Sequence, residues 1–176
     1  NIVSDSVVDY LGEYIRRNSN ADIKCEIGAY NQVSQILLSK AKTQSIFLWT
    51  SPDIQLPSFG KLLLFESVEL DDIYKEVEQF SRQIKNACRE YEQVFMLSWI
   101  IPDEYSLPLV LATKSKEGAS DILSRVNIYL SELLEGNNNF HLIDQHLLSS
   151  RFTDSIHDPR LYAMARIRYS LDYIKF

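Results

Sequence analysis

Apolar and polar positions along this chain follow two periods in alternation. Short apolar runs read as strands: "SIFLWT", "QVFMLSWIIP" and "NFHLID", preceded by "IKCEIGAY" and by a brief opening stretch at Asn1–Val3. The segments between them repeat every three to four residues. Val7, Val8, Leu11, Tyr14 and Ile15 share one face of a helix predicted from about Val7 to Arg17, with Ser6 or Asp5 at its N-cap. "NQVSQILLSKAK" is a helix that turns Val33, Ile36 and Leu37 inward. A long helix from about Glu69 to Tyr91 carries Ile73, Val77, Phe80, Ile84 and Ala87 on one stripe. In "ASDILSRVNIYLSELLEG" the stripe is Ile122, Val126, Tyr129, Leu130 and Leu133, and Gly136 with Asn137 ends the helix. The closing helix is "PRLYAMARIRYSLDYIK", with Pro159 in its first turn. The stretch from "SPDIQLPSFGK" through "LLLFESV" reads as a proline-containing loop, and "SSRFTDSIHD" as a polar one. "DEYSLPLVLATKSKEG" reads as an excursion with room for a strand of its own.

Strands joined by crossover helices predict an α/β fold. The expected architecture is a three-layer α/β/α sandwich around a five-stranded parallel sheet, flavodoxin-like in topology, in one domain over residues 1–176. Sites in such sheets form at the carboxyl ends of the strands. Here that edge carries Ser4–Ser6, Gly28–Asn31, Thr50–Asp53, Ser98–Pro102 and the loop Asp144–Asp158.

Composition narrows the partners. Eighteen Lys and Arg against 24 Asp and Glu leave a net charge of −6, which argues against a nucleic-acid or anionic-membrane surface. No apolar run approaches a membrane span, and five scattered glycines build no phosphate-cradling loop. Cys25 and Cys88 sit in apolar-periodic segments and read as buried thiols of a reduced, cytoplasmic compartment. The chain opens without an initiator Met, as expected of a piece of a longer protein.

Two features at the predicted carboxyl edge point to chemistry. Ser6 stands at a strand-to-helix turn, and Asp154-Ser-Ile-His157 lies just before the last helix. A serine nucleophile needs a base to take its proton, and the base needs an acid to fix its tautomer. The same residues have plainer roles: Ser6 as a helix N-cap, Asp154 as an Asx-turn residue, His157 as a solvated helix-start residue. Asp158 is an alternative to Asp154. His141 alternates within a strand and reads as a packed or hydrogen-bonded residue. Together with Asp144 and His146 it lacks metal-ligand spacing, so no metal or cofactor is expected. Trp49 and Trp99 end buried strands, where packing is the expected role.

The order of these blocks resembles the SGNH (GDSL-like) hydrolase superfamily over the whole chain. "SDS" stands in the place of Gly-Asp-Ser, "DSIHDPRLYAMA" in that of the Asp-x-x-His block, "FHLID" in that of the fifth strand, and "RVNIYLSELL" resembles the Asn-bearing helix before it. "GAYNQVSQILL" followed by "IFLWTSPD" is more closely similar to the N-terminal SGNH-like domain of FkbH-type proteins. In those proteins a HAD-type phosphatase domain follows, and the family handles glyceryl groups and carrier proteins.

The resemblance implies Ser6 as nucleophile, His157 as base and Asp154 as its orienter. The oxyanion hole would be formed by the backbone amides of Ser6 and Gly28, or of Tyr30-Asn31 in place of Gly28. Where the superfamily has an oxyanion Asn, this chain offers Ser51 or Pro52, and proline has no donor. The Asn31 amide is an alternative donor from a neighbouring loop. Two functions follow. One is a serine esterase or acyltransferase acting on a small O-acyl or carrier-bound acyl group. The alternative is a catalytically degenerate module that binds an acyl or glyceryl carrier protein or positions a phosphatase or glyceryltransferase domain.

Overall fold

The computed structural model of the chain describes residues 13, 26, 32–38, 44–105, 117–165 and 168–175. Internal contacts divide the chain into two compact units, one of Val33–Leu148 and one of Asn1–Gln32 with Ser149–Phe176.

The first unit holds helix α1 (Val33–Leu38), strand β1 (Ser45–Leu48), the short helices α2 (Pro52–Gln55) and α3 (Pro57–Leu63), and the long helix α4 (Leu70–Glu90). Strand β2 (Gln93–Leu97), helix α5 (Ala119–Leu134) and strand β3 (Phe140–Ile143) follow. The strands pair in parallel in the order β1-β2-β3, with Leu48 opposite Met96 and Met96 opposite Leu142. They are the third, fourth and fifth strands predicted. The sheet of the described residues therefore has three strands, not five. The two earlier predicted strands fall outside the described residues, apart from Glu26, which is exposed and in no strand.

A right-handed crossover between sequential neighbours puts each connecting helix on the same side of the sheet. The packing obeys this, since α1, α3 and α5 all lie against α4. The predicted stripe of α4 is buried at Ile73, Val77, Phe80, Ile84 and Ala87, and that of α5 at Ile122, Val126 and Leu130. They meet the alternating residues Ile46, Leu48, Val94, Met96, Phe140 and Leu142 in one core. On the other pleat face Phe95 stacks on His141 with centroids 4.9 Å apart, and the His141 Nε2 lies 2.6 Å from the Gln93 amide oxygen. His141 is thus a packed and hydrogen-bonded strand residue.

The proline-containing loop is mostly helix. Pro52 and Pro57 each open a helix, where a missing N–H costs nothing and the fixed φ already suits the first turn. Leu56, Phe59 and Leu63 are buried, so this segment is part of the core. Gly60 lets the two short helices touch: a Cβ there would stand 2.8 Å from the Asp53 carbonyl oxygen, a backbone atom that cannot swing aside. Gly60→Ala should therefore destabilise the protein by about 1–3 kcal/mol despite alanine's better helix propensity, as read by urea denaturation.

Helix α3 is tied to α4 because the Ser58 N–H and Oγ–H both donate to the Glu76 carboxylate, at 3.0 and 2.8 Å. At the end of α4 the Asn139 amide donates to the Cys88 and Tyr91 carbonyls at 2.7 and 2.9 Å, joining the entry of β3 to orphan carbonyls of the helix. Cys88 itself is half-buried, and that burial pushes its thiol pKa up and away from the reactive thiolate. Cys25 lies outside the described residues. Between α4 and α5 the Tyr129 hydroxyl donates to Glu78 at 2.9 Å, which holds the phenol above its usual pKa.

Residues 145–150, predicted as loop, form helix α6 (Gln145–Ser150), begun by Asp144 accepting the Leu147 N–H at 3.0 Å. The single closing helix predicted after Pro159 is two, α7 (Pro159–Ala165) and α8 (Leu171–Lys175). Ser170 accounts for the restart. Its Oγ accepts the Tyr173 N–H at 3.2 Å, an N-cap bond in the middle of the predicted helix. Tyr173 is buried, touches Phe152 edge-on and shares a 2.8 Å hydrogen bond with the Ser149 hydroxyl. No described helix is long and apolar enough to cross a membrane.

Candidate functional site

The carboxyl edge of the three strands is held by polar contacts to backbone groups. Trp99, directly after β2, is 2% exposed. Its Nε1–H donates to the Thr50 hydroxyl at 2.9 Å, and its ring lies 5.5 Å from that of Phe80. Asn127 of α5 grips the same residue twice, accepting the Trp99 N–H at 2.9 Å and donating to its carbonyl at 2.8 Å. The Ser98 N–H donates to the Ile143 carbonyl at 2.8 Å, while the Ser98 hydroxyl accepts the N–H of fully buried Gln145 at 3.0 Å. Backbone groups that run past the last ladder bond are satisfied by side chains, and the tips are fixed in place.

Ser51, expected at the oxyanion position, is half-buried and begins α2. Its carbonyl accepts the Ile54 and Gln55 N–H groups at 3.2 and 3.0 Å. Its hydroxyl donates to the Asp53 carboxylate, whose other oxygen accepts the Tyr105 hydroxyl at 3.1 Å. A hydroxyl has one proton to give, and this one is given to Asp53. Pro52 beside it is buried and has no N–H.

In the other unit, His157 is half-buried. Its Nδ1 lies 2.9 Å from the Arg168 carbonyl, and because a carbonyl only accepts, Nδ1 carries the proton. The Tyr169 ring lies 5.5 Å from the imidazole. The loop is strapped to the Arg168–Ser170 segment by the Ser170 N–H on the Ile156 carbonyl at 2.7 Å and the Ser170 hydroxyl on the Ser155 carbonyl at 2.8 Å. Asp154 is exposed; the acceptor at Nδ1 is the Arg168 carbonyl, not the Asp154 carboxylate. Asp158 caps α7, with Oδ1 accepting the Arg160 N–H at 2.9 Å. Ser6, Gly28 and Asn31 lie outside the described residues.

Three participants were not singled out from the sequence. The Arg168 carbonyl has no side-chain signature. Tyr105 and Asp53 come together across 52 residues of sequence, and no local pattern joins them. Asn127 did stand out, within the segment similar to the Asn-bearing helix, but its grip on Trp99 needs the fold to be seen.

These features define an α/β protein with a parallel sheet and a polar carboxyl edge. No protein-family model matches the sequence, and no curated protein does. Among solved structures the chain is similar to the N-terminal part of the protein BF1531 from Bacteroides fragilis, which contains a phosphatase domain and is complexed with Mg. The TM-score is 0.71 at 19% identity, covering 96% of this chain and 45% of that one. The likeness concerns the fold, and this chain spans less than half the length of that structure.

Proposed function

We propose that this chain is an SGNH-like module of an FkbH-type protein, non-catalytic in itself, that positions a phosphatase-type catalytic domain. The observation that carries the reading is the Ser51 hydroxyl turned onto Asp53 beside a proline. The position expected to supply an oxyanion donor has spent one donor and lacks the other. Losing one such donor typically costs about a hundred- to a thousand-fold in rate. The solved neighbour lends support, since it contains a phosphatase domain and more than half of its chain lies outside the match.

One observation favours the serine-hydrolase reading instead. The Arg168 carbonyl accepts the His157 Nδ1 proton, the role an orienting acid fills in a serine hydrolase, so Nε2 is the nitrogen that would act as base in that reading. A fluorophosphonate serine probe separates the two. The expected result is no labelling of the folded wild type, and p-nitrophenyl ester hydrolysis no faster than that of Ser6→Ala. Labelling lost in both Ser6→Ala and His157→Ala would replace the module reading with an acyl-transfer site.

A further inference from the structure

Helix α3 ends in a Schellman turn. The Phe65 N–H donates to the Leu62 carbonyl and the Glu66 N–H to the Lys61 carbonyl, at 3.0 and 3.1 Å. The residue that closes such a turn takes a left-handed backbone conformation, and glycine usually fills it because a Cβ is strained there. This chain has Phe65, at φ 63°, the one non-glycine residue with a positive φ among those described. The strain brings no burial in return. Phe65 is 61% exposed, as is Leu64, and Leu70 at the start of α4 is 37% exposed. From Leu64 to Asp72 the sequence carries Glu66, Glu69, Asp71 and Asp72 and no Lys or Arg. Only Asp72 among the four has a salt bridge, to Lys75 at 2.9 Å, among the described residues.

We infer that residues 64–72 form a docking surface, with Phe65 as its apolar anchor, for a basic amphipathic segment of a partner protein. A bulky ring kept in solvent at a position that favours glycine is explained by what it does when covered. The rim is acidic on balance, with Glu66, Glu69 and Asp71 beside the Asp72–Lys75 pair, and this selects the chemistry of the cover: an apolar face bordered by Lys or Arg. An acidic carrier protein does not fit, so this surface is separate from the module reading and does not depend on it.

The test uses two helical peptides as probes, one of leucine and lysine and one of leucine and glutamate, with binding to the whole chain followed by NMR shift mapping and fluorescence polarisation. The Leu/Lys peptide should shift resonances of residues 64–72, weaken at least tenfold with Phe65→Gly, and weaken with Glu66→Lys and with added salt. The Leu/Glu peptide should not bind. Phe65→Gly should also raise the melting temperature by about 2–4 °C, since glycine relieves the turn. Equal binding of both peptides, binding mapped elsewhere, no binding of the Leu/Lys peptide, or a lowered melting temperature in Phe65→Gly would each overturn the inference.

Discussion

Trp99→Ala should lower the stability of this protein by about 3–5 kcal/mol, the cost typical of deleting a buried aromatic. Trp99 sits where β2 leaves the sheet, buried against Phe80 of α4 and hydrogen-bonded through its indole to Thr50 beyond β1. Removing it opens a cavity at the sheet edge and leaves the Thr50 hydroxyl without its donor. Two further variants divide the loss. Trp99→Phe keeps most of the ring contact and loses the indole bond. Thr50→Val keeps the ring and strands the buried indole N–H, at about 1–3 kcal/mol. Urea unfolding with an unchanged m-value reads each as a native-state effect. A loss below about 1 kcal/mol in Trp99→Ala would mean that the strand tip is not packed as described, since surface changes fall within about 0.5 kcal/mol.

Where a signal is local, the sequence carries it. The stripe of α4 and the apolar runs of β1, β2 and β3 are legible because burial of one face imposes a period, and the predicted long helix matches the observed one to a residue at each end. Where two local signals compete, the reading fails. Pro52 and Pro57 look like loop residues, yet each opens a short helix because the first helical position tolerates proline, and buried Leu56 and Phe59 supply the tertiary reason to fold there. Ser170 carries no helix-breaking mark and still restarts the chain as a cap. The candidate site shows the same division. His157 is visible as a residue type, but its Nδ1–H is held by a backbone carbonyl 11 residues away, which no side-chain pattern announces. Ser51 is visible as a possible donor, and only the turn onto Asp53 shows the proton already given.

Asn127→Ala should cost about 2–4 kcal/mol, because it orphans two buried backbone groups at once and each is worth about 1–3 kcal/mol when left unsatisfied. The Trp99 N–H and C=O lie beyond the ladder, with no strand to pair them, and the Asn127 amide supplies both an acceptor and a donor. Alanine is the better helix former, so propensity works against the predicted loss and cannot cause it. Asn127→Asp is the sharper probe. Its carboxylate still accepts the N–H but faces the carbonyl with a second acceptor, whereas the protonated acid can donate and restores the clamp. The acid form is favoured in the folded state, so the aspartate's folded pKa lies above its unfolded value. Relative to wild type, Asn127→Asp should therefore be least destabilised in acid, below the unfolded pKa, and should lose stability as pH rises through the folded pKa. Hydrogen exchange at the Trp99 amide should quicken in Asn127→Ala and much less in Asn127→Asp. Because Asn127 and Trp99 hold one strand tip, the double variant Trp99→Ala/Asn127→Ala should lose less than the sum of the single losses. Strict additivity would mean that the clamp and the ring act independently, and that the carboxyl edge is not the single braced element its contacts describe.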